Sequence, residues 1–325
     1  MQSQLRKDLL DAFTKADGAY LSGQHIAELI GCSRTAVWKH IEELRKEGFE
    51  LEAVRRKGYR IVKTPEKITP DELRLGLTTK FIGKNVYHED CVESTQKIAQ
   101  RLAFEAAPEG TVIIAEEQVS GRGRMDRRWH SPKYTGIWMS LILRPNIPLP
   151  KAPQLTLITA VAIVQAIEDL TGLIPEIKWP NDILISGKKV TGILTELEAE
   201  ADRINSVIIG IGINVNQTRE DFPSDIEQIA TSLLLEKGEK VSRADLIKGI
   251  FTNLEKLYLL YLEEGFQPIK LLWESYAISI GKKITARTLS HSIIGIAKGI
   301  TDDGVLMIED GHGKIHHIYS ADIEL

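Results

Sequence analysis

The sequence predicts an α+β protein built of three parts. Short apolar stripes of helical spacing followed by two short strands fill residues 1–63, whereas nearly unbroken apolar strands alternate with helices over residues 71–272. Residues 273–325 change again, to short alternating strands separated by Asp-Gly turns. Residues 64–70 contain two prolines and are predicted to be the linker between the first two parts.

The composition is that of a soluble globular chain. Its 325 residues are 43% hydrophobic and 26% charged. The most apolar stretch, residues 155–170, is interrupted by polar side chains and is too short to span a bilayer, which needs about 20 residues. The N-terminus is typical of an amphipathic helix and not of a signal peptide, and the two cysteines form no Cys-x-x-Cys pair. We therefore expect a cytoplasmic protein with no membrane partner.

Charge is distributed unevenly along the chain. The formal net charge is −4, but residues 1–64 hold 12 Lys and Arg against 9 Asp and Glu. The remaining 29 basic and 36 acidic residues leave the rest of the chain acidic. A basic N-terminal part is typical of a separate nucleic-acid-binding module.

The N-terminal part is predicted to be a winged helix-turn-helix. A helical stripe over residues 5–13 precedes two short helices within residues 22–48. The apolar faces of these two helices are Ile26, Leu29, Ile30, Val37, Ile41 and Leu44. Between the two faces, Gly31 suits a left-handed turn and Ser33 is a good N-cap. Two strands within residues 51–62, around a basic tip, form the predicted wing.

The second helix and the wing tip carry the predicted DNA contacts. Side chains near the start of a recognition helix reach base edges or phosphates in a major groove, and a basic wing tip contacts backbone phosphate. The predicted DNA-binding residues are Ser22, Arg34, Thr35, Trp38, Lys39, Arg55, Arg56 and Lys57. Two packed helices that contact no DNA are the alternative interpretation of the pattern.

The central part is predicted to be an α/β layered domain. Strands are indicated at residues 110–118, 136–143, 182–197 and 206–215, and helices at residues 94–104, 153–171 and 243–263. The first and last of these strands are nearly all apolar, so we expect them to be central in a sheet.

A basic loop, residues 121–132 with the sequence GRGRMDRRWHSP, lies between two predicted strands. Its four arginines offer forked donors suited to phosphate, and Gly121 and Gly123 allow the backbone to approach a ligand or to change conformation. A solvated basic loop is the alternative. The P-loop pattern G-x-x-x-x-G-K-[ST] does not occur in the chain, so the ordinary NTPase route is not indicated.

Two further motifs favour an anionic ligand. In IKWPND, Lys178 is flanked by Ile177 and Trp179, and a partly buried ammonium requires an anionic partner. In GIGINVN, Gly210 and Gly212 interrupt an apolar strand, where glycine often marks close approach by a ligand or another backbone. The alternatives are a simple turn after the proline and tight packing of a helix on the strand.

The last part is predicted to be a small SH3-like β-barrel, with turns at Asp302-Asp303-Gly304 and Asp310-Gly311. Three histidines cluster there, namely His312, His316 and His317. Because no second ligand pair has metal spacing, a half-solvated strand face is favoured over a metal site, and no metal ligands are predicted.

Three motifs in this order behind a winged helix resemble those of bifunctional biotin–protein ligases that are also biotin operon repressors. GRGRMDRRW, KWPNDI and GIGINVN are similar to the family's adenylate-forming core, and the resemblance covers essentially the whole chain. The family loop commonly has a third glycine at the position where this chain has Asp126.

The resemblance implies a two-step reaction. Biotin and ATP would give biotinyl-5′-adenylate and pyrophosphate with the help of Mg²⁺, and a lysine of a biotin carboxyl carrier domain would then accept the biotin. The adenylate would also be the corepressor, favouring a homodimer that binds operator DNA. The alternatives are a lipoate–protein ligase and a ligand-sensing repressor without catalysis. The winged helix and the GRGR loop favour biotin, and Lys178 together with the arginine loop favours catalysis.

The resemblance also implies roles for individual residues. The catalytic residues would be Lys178, Arg122 and Arg124. The biotin-binding residues would be Ser94, Thr95, Gln96, Gln118, Arg122, Gly123, Arg124 and Lys178. The adenylate-binding residues would be Trp129, Asn181, Lys189 and Asn214, covered by residues 216–233. Alternative structural roles are an anchor of the loop for Trp129, an exposed hairpin position for Lys189, and a helix cap for Ser94 and Thr95.

Overall fold

The computed structural model describes residues 2–46, 49–63, 67–200, 203–288 and 291–324. Residues 64–66 of the predicted linker lie outside the described residues. The chain divides into two compact units, Met1–Thr78 and Thr79–Leu325.

The first unit contains four helices and a two-stranded hairpin in its described part. Its elements are α1 (Gln2–Lys15), α2 (Gly23–Ile30), α3 (Arg34–Lys46), β1 (Glu50–Val54), β2 (Gly58–Lys63) and α4 (Pro70–Arg74). Strands β1 and β2 pair antiparallel and form the predicted wing.

Caps and a left-handed glycine set the turn between α2 and α3. The Ser22 hydroxyl accepts a hydrogen bond from the His25 amide at 3.1 Å, so Ser22 begins α2. Gly31 ends α2 with φ 67°, in the left-handed region that favours glycine. The Ser33 hydroxyl accepts from the Ala36 amide at 3.2 Å and caps α3. The predicted roles of Gly31 and Ser33 are therefore confirmed.

The core of the first unit joins α1, α2, α3 and the wing. Its buried apolar side chains are Leu9, Leu10, Phe13, Ile26, Ala27, Ile30, Val37, Ile41, Leu44, Phe49 and Leu51. The prediction that Leu29 lies on the buried face of α2 is wrong, because its side chain is 56% exposed. The buried stripe of this eight-residue helix consists of Ile26, Ala27 and Ile30 instead.

The second unit contains a seven-stranded sheet, five helices and a five-stranded sheet among its described residues. Its helices are α5 (Thr95–Phe104), α6 (Pro153–Thr171), α7 (Leu233–Lys237), α8 (Arg243–Glu264) and α9 (Gln267–Tyr276). The strands of the larger sheet are β3 (Val86–Glu89), β4 (Val112–Ala115), β5 (Gly136–Leu143), β6 (Glu176–Lys178), β7 (Asp182–Ile185), β8 (Lys188–Glu200) and β9 (Arg203–Asn214). Their order is β3-β4-β5-β9-β8-β7-β6.

Each predicted strand overlaps strands of this sheet, but some of the limits differ: of the strand predicted at 110–118, only Val112–Ala115 is a strand. The predicted strand 182–197 is divided into β7 and β8 by Ser186 and Gly187, which both have positive φ, as the two-residue turn of a hairpin requires. Strand β9 is the middle strand, as predicted, whereas β4 is second from an edge. Strands β3 and β6 were not predicted, because four and three residues are too short to show a period.

Helices cover both faces of this sheet. Adjacent residues of a strand point to opposite faces. On β8, the Thr195 hydroxyl lies 2.7 Å from that of Thr156 on α6, whereas the Glu196 carboxylate accepts from Gln100 on α5 at 2.9 Å. Helix α5 therefore lies on one face and α6 on the other.

Helix α6 lies in the core of the second unit. With the preceding turn it forms Leu149–Thr171, the one segment in the described ranges that is long and apolar enough to cross a membrane. Of its most apolar window, 72% is buried, as is typical of the core helix of a soluble protein.

The five-stranded sheet is formed by the last part of the chain. Its strands are β10 (Lys283–Arg287), β11 (Ser292–Ile300), β12 (Leu306–Glu309), β13 (Ile315–Ile318) and β14 (Asp322–Glu324), in the order β13-β12-β11-β10-β14. The hydrogen bond from His316, together with the backbone N–H groups of His312 and Lys314, lowers the pKa of Asp310 to about 2. His316 and His312 therefore belong to the Asp310 turn.

Candidate functional site

A cavity of about 490 Å³ lies on the α5 face of the seven-stranded sheet. It is lined by all twelve residues predicted to bind biotin or adenylate: Ser94, Thr95, Gln96, Gln118, Arg122, Gly123, Arg124, Trp129, Lys178, Asn181, Lys189 and Asn214. The fold thus brings together side chains from segments as far apart as α5 and the end of β9. The roles predicted for these residues remain predictions.

The floor of the cavity is a buried polar network. The Thr95 amide donates to the Gln118 side-chain oxygen at 2.9 Å, and the Thr95 hydroxyl lies 2.9 Å from that of Ser140. Ser140 donates in turn to the Gln96 side-chain oxygen at 2.9 Å. Ser94 occupies the N-cap position of α5, but its side chain makes no capping hydrogen bond. Ser140 was not predicted, because it is the one polar side chain in the otherwise apolar strand β5 and nothing near it in sequence indicates a ligand.

Three glycines let side chains lie directly on the backbone of the sheet. A Cβ on Gly210 would lie 2.7 Å from the Gln96 side-chain oxygen. A Cβ on Gly212 would lie 2.5 Å from the Trp129 indole, and one on Gly192 would lie 2.7 Å from the same ring. Gly192 and Gly212 are paired across strands β8 and β9. Glycine in this strand predicted a close approach to its backbone, and the groups that approach it are the side chains of Gln96 and Trp129.

Trp129 forms one wall of the cavity. Its indole rests on the two paired glycines, and the Lys189 ammonium lies 5.3 Å from the ring centroid. Lys189 also forms an ion pair with Asp182 at 2.7 Å. The indole N–H is buried and has no hydrogen-bond partner among the described residues. Lys189 is therefore held in the site and is not simply an exposed hairpin residue.

The basic loop is folded back on itself. The Gly123 amide donates to the Arg127 carbonyl at 2.7 Å, and the Trp129 amide donates to the Gly121 carbonyl at 2.8 Å. At the tip, Met125 and Asp126 have φ of 56° and 55°. This left-handed conformation favours glycine and is tolerated by Asp, so the backbone is compatible both with Asp126 and with the glycine that the resemblance implies there.

Two arginines of the loop contact the C-terminal sheet region. Arg124 donates to the Asn181 side-chain oxygen at 2.9 Å and to the Ser320 hydroxyl at 2.8 Å. Arg127 forms an ion pair with Asp322, which also lines the cavity. Burial lowers the pKa of the Arg124 guanidinium, and the carboxylates of Asp182 and Asp322 partly offset this. Ser320 and Asp322 were not predicted, because nothing local marks residues that lie almost 200 positions from their partners.

Two cations that line the cavity differ from the others there in having no partner in the part of the chain that the structure describes. Among the residues that the structure describes, neither the Lys178 ammonium nor the Arg122 guanidinium makes a hydrogen bond or ion pair. Lys178 is half-buried, and Arg122 is exposed. A cation in a cavity with no protein counter-ion is available to an anionic ligand.

A covering segment, residues 218–230, closes part of the cavity. Phe222, Ile226 and Ile229 contribute apolar lining. The segment is attached to the sheet, because the Lys189 amide donates to the Ile229 carbonyl at 2.8 Å and the Thr231 amide donates to the Lys189 carbonyl at 2.9 Å.

In the first unit, an open groove of about 850 Å³ runs between α3, the predicted recognition helix, and the wing. It is lined by six of the eight predicted DNA-binding residues, namely Ser22, Arg34, Thr35, Trp38, Arg55 and Arg56. The other two, Lys39 and Lys57, are exposed outside this lining. Trp38 is 56% exposed, as is expected for an apolar side chain that contacts a partner.

Family models match three regions of the chain. A helix-turn-helix domain matches residues 5–60, the Biotin/lipoate A/B protein ligase family matches residues 89–214, and the biotin protein ligase C-terminal domain matches residues 279–325.

Relatives match the chain over most or all of its length. The bifunctional ligase/repressor BirA of Bacillus subtilis is 58% identical over 325 residues, which cover the whole of both chains. The chain belongs to the bifunctional biotin ligase/repressor family. The BirA of Escherichia coli is a more distant member, 28% identical over 295 residues that cover 90% of this chain and 89% of that one.

A solved biotin protein ligase is similar in structure to most of this chain. The biotin protein ligase of Aquifex aeolicus, solved in complex with biotin and ATP, is 30% identical with a TM-score of 0.64. The match covers 74% of this chain and 98% of that chain. The predicted family and fold class are confirmed. This includes the SH3-like C-terminal part of the chain.

Proposed function

We propose that this ligase/repressor activates biotin with ATP, transfers it to a lysine of a biotin carboxyl carrier domain, and represses transcription in the cytoplasm. One observation carries the enzymatic part. Lys178 and Arg122, which have no protein counter-ion in the described chain, line the same cavity as the polar floor and the Trp129 wall. Such a cavity suits a ligand with an anionic centre between two less charged ends.

In the first step, a carboxylate oxygen of biotin attacks the α-phosphorus of ATP, and the bond from that phosphorus to the pyrophosphate oxygen breaks. Negative charge develops on the oxygens of the α-phosphate. Lys178, Arg122 and Arg124 would stabilise it electrostatically, without forming a covalent bond. Ser94, Thr95, Gln96, Gln118 and Gly123 would hold biotin, and Trp129, Asn181, Lys189 and Asn214 would hold the adenylate.

In the second step, the amine of the acceptor lysine attacks the carbonyl carbon of the mixed anhydride. The carbon–oxygen bond to phosphate breaks, AMP leaves, and an amide remains. The folded arginine loop and the covering segment favour this outcome, because both limit access of water to the anhydride.

Magnesium is expected to enter with the nucleotide and not to reside in the protein. In the described ranges no group of three His, Cys, Asp or Glu side chains is arranged to hold a metal. The cavity carboxylates Asp182 and Asp322 are paired with Lys189 and Arg127. Mg²⁺ commonly binds through substrate phosphates and water, so ATP itself would supply the ligands.

The repressor part of the proposal is supported by the basic groove of the first unit. Exposed arginines on the recognition helix and wing suit phosphate contacts, and Trp38 and Thr35 suit base edges. Biotinyl-5′-adenylate would be the corepressor, favouring a homodimer that binds a palindromic operator.

ATP–pyrophosphate exchange tests the enzymatic proposal. Exchange is expected with biotin and not with lipoate or without an acid. Exchange with lipoate alone would identify a lipoate ligase, and no exchange with either acid would leave a ligand-sensing repressor. Operator footprinting with and without biotin and ATP tests the repressor part.

A further inference from the structure

Gln217 is a buried glutamine that lies just outside the cavity. It follows β9, is fully buried, and does not line the cavity. Its side-chain amide donates to the side-chain oxygen of Asn214 at 3.2 Å. Asn214 is itself 5% exposed and lines the cavity, so Gln217 contacts a predicted adenylate-binding residue from behind.

The two hydrogen bonds of Asn214 give its amide a single orientation. Its nitrogen donates to the Thr231 carbonyl at 3.1 Å while its oxygen accepts from Gln217. If the amide rotated by 180°, two donors would face each other at Gln217 and two acceptors at Thr231. The Thr231 backbone carbonyl fixes this orientation, and the Gln217 donor stabilises it by occupying one acceptor position of the Asn214 oxygen.

The same residues fasten both ends of the covering segment. The Gln217 carbonyl accepts from the Ser232 hydroxyl at 2.6 Å, and Thr231 is held by Asn214. Residues 218–230 lie between these two attachment points. Gln217 thus links the amide of Asn214 to the position of the segment above the cavity.

The hydrogen-bonding capacity of the Gln217 amide is only half satisfied. Its side-chain oxygen is buried and has no hydrogen-bond partner in the described structure. A buried acceptor without a partner is destabilising, so packing alone would favour an apolar side chain of the same size. The feature that an apolar side chain cannot supply is the N–H group directed at Asn214.

We propose that Gln217 is a positioning residue for the nucleotide half of the site, acting through Asn214 and the base of the covering segment. This inference rests on the proposed function, because it assigns nucleotide to the Asn214 end of the cavity.

The first test compares two buried glutamines. Gln217→Met keeps the volume but removes the donor, and the loss of one hydrogen bond is expected to raise the KM for ATP about tenfold, with kcat and the KM for biotin within about twofold of wild type.

Gln154→Met is the matched control. Gln154 is equally buried and donates to the Asp302 carbonyl at 2.8 Å, away from the cavity. It is expected to lower the melting temperature without a selective change in the KM for ATP. Equal shifts for ATP and biotin in Gln217→Met, or no shift for ATP, would overturn the proposal.

A second variant covers the case in which Gln217→Met does not fold. In Gln217→Glu, a protonated carboxyl can still donate to Asn214, whereas an ionised one cannot. Burial raises the pKa of a carboxyl group, so the carboxyl of Gln217→Glu should ionise near neutral pH. The KM of this variant for ATP should therefore rise more steeply than that of wild type between about pH 6 and 9. A pH dependence parallel to that of wild type would contradict a donor role.

Binding without turnover separates this inference from the proposed function. Calorimetry should show weaker ATP binding by Gln217→Met, and little further weakening when the change is made in an Asn214→Ala background. Full additivity of the two changes would show that Gln217 does not act through Asn214. If wild type binds ATP but shows no biotin-dependent exchange, the proposed reaction fails while the binding comparison still decides the role of Gln217.

Discussion

The Arg124 guanidinium donates to the Ser320 hydroxyl at 2.8 Å and joins the arginine loop to the segment that leads into β14. Beside it, Arg127 pairs with Asp322. Two residues of the C-terminal part thus hold the arginine loop beside the cavity. The C-terminal sheet therefore contributes directly to the proposed active site, because Asp322 also lines the cavity.

Loosening these two contacts should make the enzyme lose its intermediate faster. Arg127 is 66% exposed and the bond from Arg124 to Ser320 is exposed as well, so each contact contributes little alone and the two are removed together. We expect Ser320→Ala with Asp322→Asn to raise the adenylate off-rate about threefold to tenfold, measured by a biotin chase of labelled adenylate. Arg287→Gln, which breaks the Arg287–Glu324 pair in the same sheet, is the control and should leave the rate unchanged.

Replacing Lys178 should slow adenylation without destabilising the fold. Its ammonium has no partner among the described residues, so Lys178→Ala removes no protein contact of that group. Removing one preorganised charge from the reaction centre is expected to cost about 10²–10³ in single-turnover rate, while the melting temperature stays within about 2 °C. A rate within threefold of wild type would exclude the catalytic role.

A methyl group on Gly212 should displace Trp129. A Cβ there would lie 2.5 Å from the indole, so the ring must move at a cost of about 1–3 kcal/mol. Gly212→Ala is therefore expected to raise the KM for ATP while biotin binding by calorimetry changes less. Gly311→Ala provides the comparison, because a Cβ on Gly311 would meet no atom within 4 Å. Similar kinetics for the two variants would show that the packing of Trp129 on Gly212 does not affect ATP binding.

Substitutions of Asp126 should follow its backbone conformation. Because φ is 55°, Asp126→Gly relieves strain and should keep the adenylate off-rate at or below that of wild type. Asp126→Val places a β-branched residue in the left-handed region, at a cost of about 1–3 kcal/mol, and should raise the off-rate at least about fivefold. Equal off-rates for the two variants would mean that the loop tip does not need this conformation.

The wing should contribute salt-dependent affinity for DNA. Each phosphate contact contributes about 0.9 to the slope of log K against log salt. Arg55→Ala with Arg56→Ala should reduce that slope by about two and weaken operator binding, with biotin-dependent exchange unchanged. Arg101→Ala, an exposed arginine of α5, should change neither measurement. An unchanged slope in the wing variant would place the DNA contacts elsewhere.

Local patterns in the sequence were sufficient for most elements. The limits of β5 and α6 agree with the predicted strand 136–143 and helix 153–171, because long uniform stretches have a clear period. The cavity residues were found by resemblance to a family, since Lys178 and Asn214 stand in motifs whose spacing is recognisable. Leu29 shows the limit of the period alone, because a short helix does not bury every apolar position.

What the sequence could not supply is the set of contacts between distant segments. Ser140 reaches Gln96 across 44 positions, and Ser320 reaches Arg124 across 196. Neither serine has neighbours that distinguish it from an ordinary strand or turn residue. Their roles depend on the order of strands in the sheet, which no local period encodes.

The bare backbone beneath Trp129 has a consequence for engineering. Because Gly192 and Gly212 carry no side chains, trimming Trp129 to glycine would leave a flat-bottomed hole the size of an indole at the edge of the cavity. A nucleotide analogue with a bulky aromatic substituent could occupy that hole but would clash with the natural ring. Because Trp129 is proposed to bind the adenylate, the site is suited to a bump-and-hole pair, in which an altered enzyme uses an enlarged ATP analogue that the unmodified enzyme rejects.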